Sequence, residues 1–213
     1  MKVKSTETAV TIQPTENGSL AVTGLENLRD SRGEALPTKA KIYLCRCGGS
    51  SNKPFCDGSH KRNGFSGARE SSASLDREKA YPGKQITVHD NRAICSHSER
   101  CVKELAAVFS KKARPWVNSD GASPEEIVAL VKRCPSGALS YSIEGTQQRD
   151  FTREPQITVS KNGPYNITGG IVIQNEIQPP SSEHYSLCRC GASKNKPFCD
   201  GMHHTIGFRD EQI

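Results

Sequence analysis

Aromatic residues are scarce in this chain. They make up 6% of its 213 residues, with a single Trp, and all hydrophobic residues together reach 34%. That is thin for one large core, and it points to small units that need metal as a staple. No apolar run approaches membrane-spanning length. The opening Met1-Lys2-Val3-Lys4-Ser5-Thr6-Glu7 has no apolar h-region, so no secretory signal is expected. A nucleophilic triad, a phosphate-cradling loop and a paired-carboxylate site are also missing, so an enzyme is not expected. The formal charge of +6 comes from basic residues spread along the chain. Without a cluster of them, neither nucleic acid nor a membrane is expected as a partner. The nine cysteines are an odd number. That argues against a complete disulfide framework and for thiolates held for metal in a reducing, cytoplasmic setting.

What the chain does have is one stretch written twice. Leu44-Cys45-Arg46-Cys47 runs on to Pro54-Phe55-Cys56-Asp57-Gly58-Ser59-His60. Leu187-Cys188-Arg189-Cys190 runs on to Pro197-Phe198-Cys199-Asp200-Gly201-Met202-His203, at an offset of 143 residues. Each copy offers three thiols and one imidazole, spaced C-x-C-x8-C-x3-H. Asp57 and Asp200 are placed to N-cap a helical turn, and Cys56 and His60 at i and i+4 project from one face of it. Backbone N–H groups at the start of that turn can point at sulfur. Spacing alone leaves open a structural zinc ion, for which Cys3His is also a ligand set.

The motif C-x-C-x2-S-x3-P-x-C-D-G-S-H resembles the signature of the CDGSH iron–sulfur proteins. The first copy matches throughout, including Ser50 and Pro54, and the second departs at Met202. The resemblance implies a [2Fe–2S] cluster on Cys45, Cys47, Cys56 and His60, and another on Cys188, Cys190, Cys199 and His203. Three Cys and one neutral His lie between all-Cys and Rieske sets, so an intermediate potential is expected. Protonation of a ligating imidazole competes with its bond to iron, so acid should weaken ligation by His60 and His203.

The repeat extends beyond the motif. Thr11-Ile12 and Leu20-Ala21-Val22 read as strands around a turn at Glu16-Asn17-Gly18, and Ile157-Thr158-Val159 and Tyr165-Asn166-Ile167-Thr168 repeat them. Ser71-Ser72-Ala73-Ser74 followed by Arg77-Glu78-Lys79 reads as a linker. Phe65 and Phe208 follow the two motifs and are expected to shield them. Arg46, Arg189, Lys53, Lys194 and Lys196 are read as solvated, and Trp116 as core. His89 and His184 belong to no constellation.

Between the copies lies a different unit. Gln85–His89 alternates as a strand. Val102, Leu105, Ala106 and Phe109 predict one helix, and Ser123-Pro124-Glu125-Glu126 opens another with a capping box. Cys134-Pro135 ends that helix, and Leu139, Tyr141 and Ile143 alternate as a closing strand. Strand, cysteine loop, helices, Cys-Pro and strand in this order resemble a single-cluster bacterial-type ferredoxin. The resemblance implies Cys95, Cys101 and Cys134 as ligands of a [3Fe–4S] cluster, or of a [4Fe–4S] cluster with a non-cysteine ligand. Ser98 stands where a fourth Cys is usual. Ser98, His97, water or no cluster at all remain open there.

The expected architecture is α+β, with two small β-rich lobes (1–70 and 154–213) flanking a ferredoxin-like α/β lobe (80–150). The expected function is a multi-cluster electron carrier, or a protein that stores, transfers or senses through its clusters. Its partners would be redox proteins or apo-proteins. Family members with one such domain often pair as homodimers, so this chain is expected either to pair its copies internally as a monomer or to form a homodimer.

Overall fold

The computed structural model describes residues 9–70 and 76–211. The opening segment and Ser71–Ser74 lie outside that range. In the first copy β1 (Thr11–Pro14) pairs antiparallel with β2 (Leu20–Thr23) across the expected turn. The inward side chains Ile12, Leu20 and Val22 are all buried. A two-residue β3 (Leu28–Arg29) follows, then β4 (Lys41–Leu44), which pairs with β2 and leads directly into Cys45.

The middle unit is an antiparallel sheet of β5 (Glu78–Pro82), β6 (Thr87–Asn91), β7 (Leu139–Ile143) and β8 (Thr146–Gln148), in that order. Helices α1 (Arg100–Glu104) and α2 (Pro124–Val131) complete it. The cap of α2 is as expected: Ser123 accepts from the Glu126 amide and the Glu126 carboxylate accepts from the Ser123 amide. The first helix is shorter than its apolar spacing implies. It ends at Glu104, Leu105 leaves helical geometry, and Phe109 bridges to Val117 in extended pairing. Arg77-Glu78-Lys79, read as linker, enters the edge strand β5, where Glu78 pairs with Arg149.

The second copy supplies β9 (Gln156–Val159), β10 (Tyr165–Thr168), β11 (Val172–Ile173), β12 (Tyr185–Leu187) and a single turn α3 (Met202–Thr205). The copies do not form separate lobes. They exchange their short strands: β11 pairs parallel with β1, and β3 pairs parallel with β9. The sheets therefore run β11-β1-β2-β4 and β12-β10-β9-β3. One core joins both copies, with Ile12, Leu28 and Leu44 packed with Ile157, Tyr165 and Ile173. Two thin half-cores are replaced by a single larger one, which is how a chain this poor in aromatics buries enough surface. A second core, around Phe109, Ile127, Leu130 and Val131, belongs to the middle unit. Among the described residues no helix is long and apolar enough to cross a membrane.

Candidate metal centres

Each motif is folded back onto the strand that precedes it. The Cys45 amide donates to the Pro54 carbonyl at 2.8 Å and the Cys56 amide to the Tyr43 carbonyl at 2.8 Å. The second copy repeats both bonds, from Cys188 to Pro197 and from Cys199 to Ser186. Ser50 and Ser193 lock the loop by donating to the Phe55 and Phe198 carbonyls at 2.7 and 2.6 Å. The N-caps are Gly58 and Gly201 rather than the aspartates. Asp57 and Asp200 act one residue earlier, accepting the Ser59 and Met202 amides at 2.9 and 3.1 Å.

The ligand candidates come together in pairs. Cys45 and Cys47 sulfurs are 3.7 Å apart, and Cys56 sulfur is 3.3 Å from His60 Nδ1. In the second copy the same distances are 3.8 and 3.6 Å. Among the described residues no three Cys, His, Asp or Glu groups converge as they would round a single metal ion. All nine cysteines are free. Backbone N–H groups do reach sulfur, from Gly49 to Cys47 and from Gly201 to Cys199, each at 3.4 Å.

Burial pushes the Cys45 thiol up to about 11. Hydrogen bonding to Cys190 and burial hold Cys188 well above the ordinary thiol range, and burial does the same to Cys199. Without a cation these sulfurs stay protonated, so metal uptake must release protons. Burial lowers the His203 imidazole to about 4, and the nearby His204 and His97 add to the effect. It is held neutral, the form that binds metal.

The two motifs meet back to back. Cys47 and Cys190 form an antiparallel bridge. Gly48 and Gly191 follow them at φ +76° and +83°, and a Cβ on either would sit 2.7 or 2.8 Å from the opposite cysteine's carbonyl oxygen. Only glycine admits this approach. The arginines inside the C-x-C turns are not solvated, as their type had implied. Arg46 donates to the Gly18 and Thr15 carbonyls, and Arg189 to the Gly163 and Ser160 carbonyls. Each therefore ties its motif to the hairpin turn of its own copy. Phe65 and Phe208 stack on these guanidinium groups at 5.2 and 5.0 Å. Lys53 and Lys196 donate to loop carbonyls of Ser50 and Ser193.

In the middle unit Cys95, Cys101 and Cys134 line one cleft. Ser98, Trp116 and Asp90 line it too. Burial raises Cys95 to about 12 and Cys101 to about 11. His97 lines a neighbouring cleft with Cys95 and Cys101, and its ring also lies against the second motif. A Cβ on Gly201 would fall 2.8 Å from that ring, and the His204 Nε2 group meets the His97 carbonyl at 3.0 Å. The middle cysteine loop thus touches the second motif directly. Sequence reasoning missed this contact, and it missed Asp90. Its only signal was two-residue alternation with Val88 on β6.

Two family profiles match. One, described as an iron-binding zinc finger of CDGSH type, covers residues 17–61 and 162–204. The other, described as a divergent 4Fe-4S mono-cluster, covers residues 81–144 between them. The chain belongs to the CDGSH iron-binding family. Its two CDGSH segments flank a divergent 4Fe–4S domain, and it is an iron–sulfur protein. Similar proteins are the uncharacterized protein YjdI of Escherichia coli K12 and that of Escherichia coli O157:H7. Each is 40% identical over 63 residues, which is 30% of this chain and 83% of the relative. No solved structure matches the chain.

Proposed function

We propose that this CDGSH protein is an electron carrier, not an enzyme. In this reading it carries a [2Fe–2S] cluster at each CDGSH segment and a [3Fe–4S] or [4Fe–4S] cluster in the middle. The donor geometry fits such groups. Two pairs per motif suit two irons sharing sulfides better than one tetrahedral ion. Three thiols lining one cleft likewise suit a multi-atom cluster. When bound, these clusters supply one-electron redox capacity. The chain's own part is to hold the ligands, exclude water and keep the three sites in contact.

The contiguity of those sites is the observation that carries the proposal. The Cys47–Cys190 bridge joins the CDGSH motifs, and His97 joins the cysteine loop to the second of them. A storage protein needs no such contact, whereas a carrier gains from it. Redox partner proteins, a monomeric chain with internally paired copies and a cytoplasmic setting belong to the same proposal. The test is iron and acid-labile sulfide analysis of anaerobically purified protein, with EPR of oxidised and reduced forms. About seven or eight irons per chain, retained through repeated redox cycles, are expected from these cluster types. Zinc without sulfide after anaerobic reconstitution would sink the reading.

A second reading is transfer of a cluster to apo-proteins, and one observation favours it for one site. Cys56 and His60 are partly exposed, whereas their counterparts Cys199 and His203 are buried. Loss of about two irons per chain to an apo-ferredoxin, without redox cycling, would support it.

A further inference from the structure

The middle cleft holds a group that the cysteine pattern does not account for. Asp90 lies on β6, where Val88 and Asp90 point inward and His89 does not. It is 1% exposed, and neither carboxylate oxygen has a hydrogen-bond partner among the described residues. The nearest cation, Arg92, stands off at 3.7 Å on a half-exposed side chain that stacks on Trp116. Arg92 also reaches towards Cys95 sulfur, at 3.8 Å, so it is shared between the two. The Trp116 indole lies close enough to ease the charge without closing a hydrogen bond of normal geometry. Burial pushes the carboxyl up to about 6, although Arg92 and the Trp116 indole offset part of its effect.

A buried carboxylate with one distant cation and no direct hydrogen bond is costly, and proteins keep a buried charge where it is paired or coordinates a metal. The cleft it lines is walled by Cys95, Cys101 and Cys134, one ligand short of the four that a cubane cluster takes. The other candidates fit less well. Ser98 lines the cleft but is exposed, and its neutral hydroxyl is a poor donor until deprotonated. His97 is engaged against Gly201 and His204. We propose that Asp90 is the fourth ligand of the middle site, its carboxylate oxygen completing a Cys3Asp set for a [4Fe–4S] cluster. The proposal rests on the reading that the middle unit holds a cluster.

The test compares wild type, Asp90→Asn, Asp90→Ala, Asp90→Cys, Ser98→Ala and His97→Ala. Each is reconstituted anaerobically with excess ferrous iron and sulfide, oxidised mildly, and read by EPR and Mössbauer spectroscopy. The oxidised [2Fe–2S] centres are silent in EPR, so a three-iron signal reports the middle site alone. Wild type, Asp90→Cys, Ser98→Ala and His97→Ala are expected to hold four irons there. Asp90→Asn and Asp90→Ala are expected to stop at three irons, with about one three-iron spin per chain. If they lose the middle cluster entirely, recovery of four irons in Asp90→Cys supports the assignment, and failure to recover counts against it. Four irons in Asp90→Asn and Asp90→Ala, or three in wild type under excess iron, overturns it. Iron missing from the middle site of every variant would instead remove the cluster reading beneath it.

Discussion

The two CDGSH copies carry the same ligands in opposite surroundings. In the second copy Gly201 is covered by the His97 ring, the Asn195 amide donates to the Ala93 carbonyl at 2.7 Å, and Ser186 donates to the Pro135 carbonyl at 3.3 Å. Each of these partners belongs to the middle unit. In the first copy the corresponding Gly58 has open space beside it, Asn52 is exposed, and Tyr43 is 47% exposed. The two segments carry equal ligand sets, and the unit between them covers only one. Ligand identity therefore sets what each site binds, and the packing around it sets how readily the bound group meets solvent.

The largest expected effect tests the arginine clamps. Arg189 is 1% exposed and paired with Asp210, which is itself 3% exposed. The corresponding position in the first copy is Gly67, and among the described residues Arg46 is hydrogen-bonded to carbonyls and paired with no carboxylate. The Asp210 and Gly67 amides make the same bond, to Asn162 and Asn17, so only the carboxylate differs. Asp210→Ala leaves a buried guanidinium without its counter-charge and is expected to cost about 3–5 kcal/mol in urea unfolding. A loss below about 1 kcal/mol would mean that carbonyls alone suffice in the second copy too.

The next test is pH. His184 is fully buried against Ser181 and Glu183, whereas its counterpart Lys41 is exposed. Burial and the nearby Arg153 push its imidazole down to about 4. The unfolded chain, titrating near 6.5, takes up more protons between those values. The contribution of His184 is thus whole above pH 6.5 and is lost as pH falls towards 4, up to about 3 kcal/mol. Unfolding midpoints across that range should show an acid slope in wild type that is reduced in His184→Gln, with His203 supplying the remainder. An unchanged slope in the variant would place the acid sensitivity elsewhere.

Cover itself is tested by iron loss to a chelator at neutral pH. The first CDGSH site is expected to lose iron about tenfold faster than the second, equivalent to an extra opening cost near 1.4 kcal/mol. His97→Gly should narrow that ratio by speeding only the second site. Resonance Raman or EPR on His60→Cys and His203→Cys proteins distinguishes the two signals. Equal rates in wild type would mean that the middle unit gives no protection.

Parts of this arrangement were legible in the sequence because they are local. Cys-x-Cys and Cys-x3-His fix donor pairs within a turn, and Ser123-Pro124 with Glu126 fixes a helix start. Strand exchange was not legible, because Leu28–Arg29 and Val172–Ile173 are too short to show a period. The burial of Arg46 and Arg189 depends on a hairpin turn folding back more than twenty residues away. Glu78 and Lys79 look like linker because charges suit an edge strand as well as a loop. Asp90 reads as a surface acid until the register of β6 shows that it shares a face with Val88.

The smallest effect expected is at one position seen from both copies. Tyr43 on β4 and Ser186 on β12 stand at the same place in the repeat, each paired with the neighbouring hairpin strand. Tyr43 faces outward with Lys41 over its ring at 5.7 Å, an exposed contact worth little. Tyr43→Ser should change stability by less than about 0.5 kcal/mol, as surface substitutions usually do. Ser186 is 2% exposed and bonded to Asn166 and Pro135, so Ser186→Tyr has no space to enter without displacing the middle unit. If Tyr43→Ser instead cost more than about 1 kcal/mol, the open face of the first copy would be packed against something in solution. The difference in cover between the two copies would then belong to the isolated chain and not to the working protein.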